Sequence, residues 1–141
     1  MIDGACLDSS ILMKIITPEE GSTEASLLAG SAHPLYAPAF AWAEVGSTLR
    51  KKVRSGALDR EAAEGAWGAF GELGLRFIQS PEVARRAWEL AHALALSTLY
   101  DAAFLAVAEL APEGPVPFWT ADLALVRQVG ERHPLIRPLI A

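Results

Sequence analysis

The sequence has one cysteine, three histidines and three lysines among its 141 residues. With Cys6 alone no internal disulfide can form, and its apolar neighbours mark it as a small buried thiol. His33, His92 and His133 stand at no metal-ligand spacing, which excludes an ordinary zinc site; each reads as a surface or boundary residue. No basic residue precedes Lys14, so the front lacks the charged region of a secretory signal, and a cytoplasmic protein is expected. A long apolar run is also missing. The most apolar region, residues 87–111, is broken by Glu89, His92, Asp101 and Glu109, which argues against a membrane-spanning helix. Positive charge is scarce as well: a net charge of −5 has the wrong sign for holding nucleic acid by bulk attraction. The one local basic run, "LRKKVR" at 49–54, reads first as a helix end complementing the macrodipole.

What is present is a sequence 52% hydrophobic and 21% charged, long enough to bury a sizeable core as a single domain over 1–141. Repeats, low-complexity tracts and linkers are absent. "GACLD" reads as a strand breaking at Asp8 into the helix "SSILMKII", and "PEEGSTEASLLAG" as a second helix. "PLYAP" is a brief strand, followed by a helix from about Phe40 to Ser55 that Gly56 closes. Asp59 caps "REAAEGAWGAFGEL"; "LRFIQS" is a strand; Ser80 and Pro81 open a helix ending near Leu96. "FWTAD", "LALVRQVGER" and "LIRPLIA" give strand edge, helix and closing strand. This alternation predicts an α/β domain, three layers around a mostly parallel sheet, with ligands beyond the carboxyl ends of the strands.

Four acids are candidates for chemistry. Asp8 and Asp122 each follow a strand, where an Asp is also a natural N-cap. Thr98 and Asp101 read as a capping box opening "LYDAAFLAVAEL". Glu44 lies one or two turns into its helix, too deep for a cap, with no basic residue three or four positions away. Were the four to meet at one sheet edge, they would repel by roughly 4 kcal/mol per close pair at an effective dielectric of 20. Such a cluster calls for a cation, and carboxylates without histidine or thiolate select magnesium or manganese.

Here "CLDSSILMKII", "APAFAWAEVGSTLRKK", "LSTLYDAAFLAVAEL" and "PFWTADLALVRQV" resemble the four successive motifs of the PIN-domain family, especially its VapC toxin ribonucleases. The segments run from residue 6 to residue 129. The resemblance implies an α/β/α sandwich, with Asp8, Glu44, Asp101 and Asp122 as catalytic and metal-holding acids. It makes Ser9 and Thr120 hydroxyls near the metal or its waters. It further implies one or two Mg2+ or Mn2+ ions, hydrolysis of RNA phosphodiesters, and a small antitoxin that puts an Arg or Lys into the acidic pocket. A homodimer is suggested by the resemblance and by "GAWGAFGELG", where Trp67 and Phe70 could anchor an interface or face the domain's own core.

Other classes fit less well. A phosphatase with Asp8 as nucleophile wants a second acid two positions on, where this chain has Ser10. A receiver-type signalling domain wants a lysine after a late strand, and every lysine precedes residue 53. A silent RNA- or protein-binding scaffold need not keep four like charges together, and a DNA-directed nuclease of the same chemistry stays open.

Overall fold

The protein is described over residues 2–140 from a computed structural model. Five strands, β1 (Ile2–Leu7), β2 (Ala32–Pro38), β3 (Arg76–Ile78), β4 (Phe118–Thr120) and β5 (Ile136–Pro138), form one sheet in the order β3-β2-β1-β4-β5. Every pairing is parallel. Between the strands run α1 (Ser9–Ile16), α2 (Ser22–Ser31), α3 (Ala41–Arg54), α4 (Arg60–Gly71), α5 (Pro81–Ala93), α6 (Leu99–Glu109) and α7 (Leu123–Val129). The expected α/β/α sandwich is the fold observed. Among the described residues no helix is long and apolar enough to cross a membrane.

The local rules largely hold. Asp59 caps α4 by accepting from Ala62 N at 2.7 Å, and Ser80 caps α5 by accepting from Val83 N at 3.1 Å. Two boundaries move for one physical reason, a backbone that leaves the right-handed region at glycine. Gly21, with φ +90°, delays α2 to Ser22, and Gly130, with φ +57°, ends α7 before a short 3-10 turn over Gly130–Arg132.

The core is built around α6. Ala102 and Phe104–Ala108 are all buried, because this helix packs on β1, β2 and β4 while α5 covers its outer side. A helix enclosed on several sides is apolar nearly all round, which explains why "AAFLAVA" carries no polar stripe. Phe104 stacks on Phe118 with centroids 5.7 Å apart, and the Cys6 thiol donates to Phe104 O at 3.4 Å, buried as expected. Phe70 is buried at 7% exposure and stacks on Trp67, which stays 40% exposed. Phe70 therefore belongs to the domain's own core and is not available as an interface anchor.

His133 is a second correction. It is not a boundary residue but is buried at 5% exposure. Its Nδ1 accepts from Leu135 N at 3.2 Å, so the ring proton sits on Nε2, which donates to Glu109 Oε2 at 2.7 Å. Arg86 Nε and Nη2 donate to the same carboxylate at 2.6 and 3.1 Å. Glu109 thus ties α5, the end of α6 and the approach to β5. Burial alone would raise the Glu109 pKa, but the hydrogen bonds from Arg86 and His133 and the charge of Arg86 outweigh it and hold the group below its ordinary 4.5. A depressed carboxylate contributes stability above its unfolded pKa and loses it as pH falls through the folded one. Glu109→Ala should therefore lower stability by about 1–3 kcal/mol at neutral pH, the cost of stranding a buried donor. In thermal melts the difference from the parent protein should shrink as pH falls below 4.5.

Candidate active site

The sheet order places a reversal between β1 and β4. From β1 the chain moves outward through β2 to β3, and from β4 it moves the other way to β5. A crevice opens at the carboxyl ends of the two strands flanking such a point. Asp8 follows β1 directly, and Asp122 lies two residues past β4.

Both acids are helix caps, as their positions suggest. Asp8 Oδ1 accepts from Ser9 N at 2.9 Å at the start of α1, and Asp122 Oδ1 accepts from Leu125 N at 3.1 Å at the start of α7. Capping does not use up Asp8. Its Oδ2 accepts from Ser10 Oγ at 2.8 Å and from Thr120 Oγ1 at 2.6 Å. Thr120 Oγ1 in turn accepts from Asp122 N at 3.0 Å, and Ser10 Oγ accepts from Ala121 N at 3.1 Å. The hydroxyls of Ser10 and Thr120 therefore lace the end of β1 to the end of β4. Ser10 was missed in the sequence as a site residue; its only signal was a second serine after Asp8, common at any helix start.

Glu44 enters from α3. The helix begins at Ala41, so Glu44 sits in its first turn rather than deeper in the helix, and its backbone N bonds to Phe40 O. Its Oε1 accepts from Ser9 Oγ at 2.7 Å. Ser9 thereby joins the first and second acids.

Asp101 lies in the first turn of α6, but the capping box is not formed. Thr98 takes the N-cap position with extended backbone, yet its hydroxyl makes no capping bond. Burial raises the Asp101 pKa first, and the charges of Asp8, Asp122 and Glu44 add to it, bringing the group from 3.8 to about 6. Asp8 is raised chiefly by burial against the pull of its hydrogen bonds, with Asp122 adding. Glu44 is raised by burial, lowered by Ser9 and raised again by Asp8. Each of the three feels at least one other member of the set, so the fold brings the four acids to one edge. Among the described residues no ion pair involves any of them.

The donor set is all oxygen, which suits a hard divalent cation. Among the described residues no three acids close on a single point at ligand spacing. Magnesium does not need them to, because it commonly takes one or two carboxylates and keeps several waters. The unbonded Asp101 and the non-capping oxygen of exposed Asp122 are the groups open to such an ion.

Fold and acidic edge together define an α/β/α domain with a carboxylate centre at its topological switch point. A PIN-domain family model matches residues 5–112, and the chain belongs to the PIN-domain family. The match takes in Asp8, Glu44 and Asp101 and stops before Asp122. The chain is also similar to one in the crystal structure of VapBC2 from Rickettsia felis bound to a DNA fragment from their promoter. The TM-score is 0.65 at 16% identity, over 97% of this chain and 99% of that one. No curated protein matches significantly.

The raised Asp101 pKa has a defined consequence for stability. The folded state holds a proton that the unfolded state releases near 3.8, so stability falls as pH rises from there through about 6 and the penalty is full above. In chelator, Asp101→Asn should therefore raise the melting temperature at pH 7.5 and leave it nearly unchanged at pH 3.5. A side-chain carboxyl NMR titration of Asp101 should show its midpoint near 6.

Proposed function

We propose that the chain, acting over 1–141 as one nuclease domain, is a metal-dependent endoribonuclease and the toxin of a VapBC-type pair. The observation that carries this reading is the mutual electrostatic loading of the four acids at the switch point, with Asp101 pushed up to about 6 by burial and its three neighbours. A cation entering such a cluster would relieve its repulsion, and the PIN family supplies the chemical class, since its members are typically nucleases.

In this proposal Asp8, Glu44, Asp101 and Asp122 hold one or two Mg2+ or Mn2+ ions. A divalent cation there would supply an activated water and charge stabilisation for the leaving oxygen of an in-line displacement. The protein's own part is placement. Thr120 and Ser10 fix the Asp8 carboxylate, so that one acid at least is pre-positioned before any ion arrives. Ser9 fixes the rotation of Glu44. Asp101 and Asp122 close the site from α6 and α7.

With a panel of single-stranded RNA, duplex RNA and DNA, the protein should cleave RNA with magnesium or manganese and stop in chelator. Asp8→Asn and Asp122→Asn should each abolish measurable turnover while the fold, checked by circular dichroism, persists. Thr120→Val should lose roughly 10–100-fold, as expected of a group that orients a metal-bound carboxylate. Full activity in chelator would sink the metal mechanism, and cleavage confined to DNA would reassign the substrate.

The antitoxin half of the reading draws on the structural neighbour, whose partner complex its name records, and on two surfaces. A metal-free acidic edge suits a guanidinium, which pairs bidentately with carboxylate. Beside it, α3 and α4 enclose an apolar groove of about 560 Å³ lined by Trp42, Leu49, Val53 and Trp67, with Arg50 and Arg60 also along it. Gly46 makes this closeness possible, since a Cβ there would lie 3.2 Å from the Trp67 ring. An amphipathic segment of the antitoxin would cover the groove while its basic residue enters the site. Self-association of the toxin belongs to the same proposal, with exposed Trp67 rather than buried Phe70 as the available ring. The reading predicts a small protein encoded beside this one that copurifies with it and suppresses RNA cleavage, and replacing that partner's basic residues by alanine should restore activity. A complex that cleaves as fast as the free protein would remove the toxin assignment and leave the nuclease.

A further inference from the structure

A second, smaller hollow of about 230 Å³ lies where α5 meets the loop into α6. Its walls are Trp88, His92, Leu96, Ser97, Thr98 and Leu99. Thr98 occupies the N-cap position of α6, and Asp101 stands in the first turn of that helix, so one wall of the hollow is within a helical turn of the acidic edge. Trp88 is 61% exposed and Leu99 is 45% exposed, so both present open apolar surface at this end of α6.

The rings are arranged rather than scattered. Trp88 and His92 lie one turn apart on α5 with centroids 4.7 Å apart and planes inclined at 55°. His92 Nδ1 is 2.9 Å from Trp88 O. A carbonyl oxygen can only accept, so Nδ1 carries the proton and neutral His92 presents Nε2 as an acceptor. Among the described residues Nε2 has no partner. No lysine or arginine lines the hollow, which makes it a poor seat for a phosphate. Open ring faces, a hydrogen-bond acceptor and polar walls from Ser97 and Thr98 suit a flat heterocycle. A hollow this size lies below the roughly 300 Å³ at which drug-sized pockets begin, which fits one ring system better than a stacked run.

We propose that Trp88, His92 and Leu99 form a subsite for one unpaired nucleobase of the substrate, adjoining the phosphodiester presented to Asp101. The proposal rests on the ribonuclease reading and deepens it: the base must be splayed out of any helix, so the substrate at this point is single-stranded. Stacking on Trp88 holds the chain in register while the acidic edge acts on the neighbouring phosphate. Stacking tolerates different bases because each has a π-face, and His92 Nε2 adds a preference for a base that can donate a hydrogen bond.

The test is a double-mutant cycle between protein and RNA. A short single-stranded RNA with a mapped cleavage point is prepared intact and with the base removed, in turn, at each of the two positions on either side. The wild-type protein should lose about tenfold or more in kcat/KM when one particular base is missing, in line with the effect of removing one stacking contact. Trp88→Ala should show the same loss on intact RNA and no further loss on that abasic RNA, while Trp88→Phe keeps much of the activity. Because Trp88 is largely exposed, both variants should melt with the parent protein, and sedimentation should show an unchanged oligomeric state. Equal rates for Trp88→Ala and wild type on intact RNA would overturn the subsite alone. So would a loss that is the same on intact and abasic RNA, or a changed oligomeric state that marks the ring as a protein interface. A wild-type protein that neither cleaves nor binds any RNA would overturn the ribonuclease reading, and the subsite with it.

Discussion

The hydrogen bond from Thr120 to Asp8, 2.6 Å long and fully buried at its donor, is the contact on which the site depends. Thr120 is the last residue of β4, and Asp8 follows the last residue of β1. These strands pair directly, with Leu7 opposite Trp119, and Asp8 N extends the ladder by donating to Trp119 O at 3.0 Å. The carboxylate is therefore fixed by the sheet before any ligand is considered. Burial opposes its ionisation, while the donors Ser9 N, Ser10 and Thr120 favour it. Replacing any of them leaves a carboxyl group only 7% exposed with less support, and an under-satisfied buried acid costs about 1–3 kcal/mol or more. The same bonds orient α1 and α7, since Asp8 and Asp122 cap those helices. Caps, sheet seam and candidate chemistry thus share one small set of atoms.

What could be read from the sequence follows from how local each signal is. Asp8 and Asp122 were legible because strand followed by acid followed by helix is a pattern of a few residues, and Ser80–Pro81 and Asp59 announce their helices in the same way. The alternation of elements yielded the layered α/β architecture, and the four motifs yielded the family. Glu44 was placed too deep because nothing in "PAFAWAE" distinguishes Phe40 from the first helical residue. Thr98 was expected to cap α6 and its hydroxyl does not, since a capping box describes which groups could bond and not which rotamer the packing permits. His133 was misread because its partner, Glu109, stands 24 residues away. A buried histidine paired across that distance leaves no local trace. Ser10 escaped notice for the opposite reason: its neighbourhood was ordinary, and only the return of β4 gives its hydroxyl a second partner.

Asp101 shows how competing effects settle on an outcome that local rules miss. An acid in the first turn of a helix gains about 0.3–1 kcal/mol from the macrodipole, which would depress its pKa. The group instead moves up to about 6. Burial is the largest cause, and the charges of Asp8, Asp122 and Glu44 add to it; even one like charge about 8 Å away costs about 2 kcal/mol at an effective dielectric of 20. The dipole is outweighed. An acid that served only as a cap would gain nothing from such company, and substitution by asparagine would keep the capping oxygen without the repulsion. The sequence instead retains the charge at a place where the isolated fold is penalised for it. Repulsion among Asp8, Glu44, Asp101 and Asp122 is thus best understood as attraction held in reserve for a cation: the energy lost by the empty cluster is regained when positive charge enters. In the proposed reading, a metal ion and the guanidinium of an inhibitory segment would draw on that same energy, and each would therefore exclude the other from the edge.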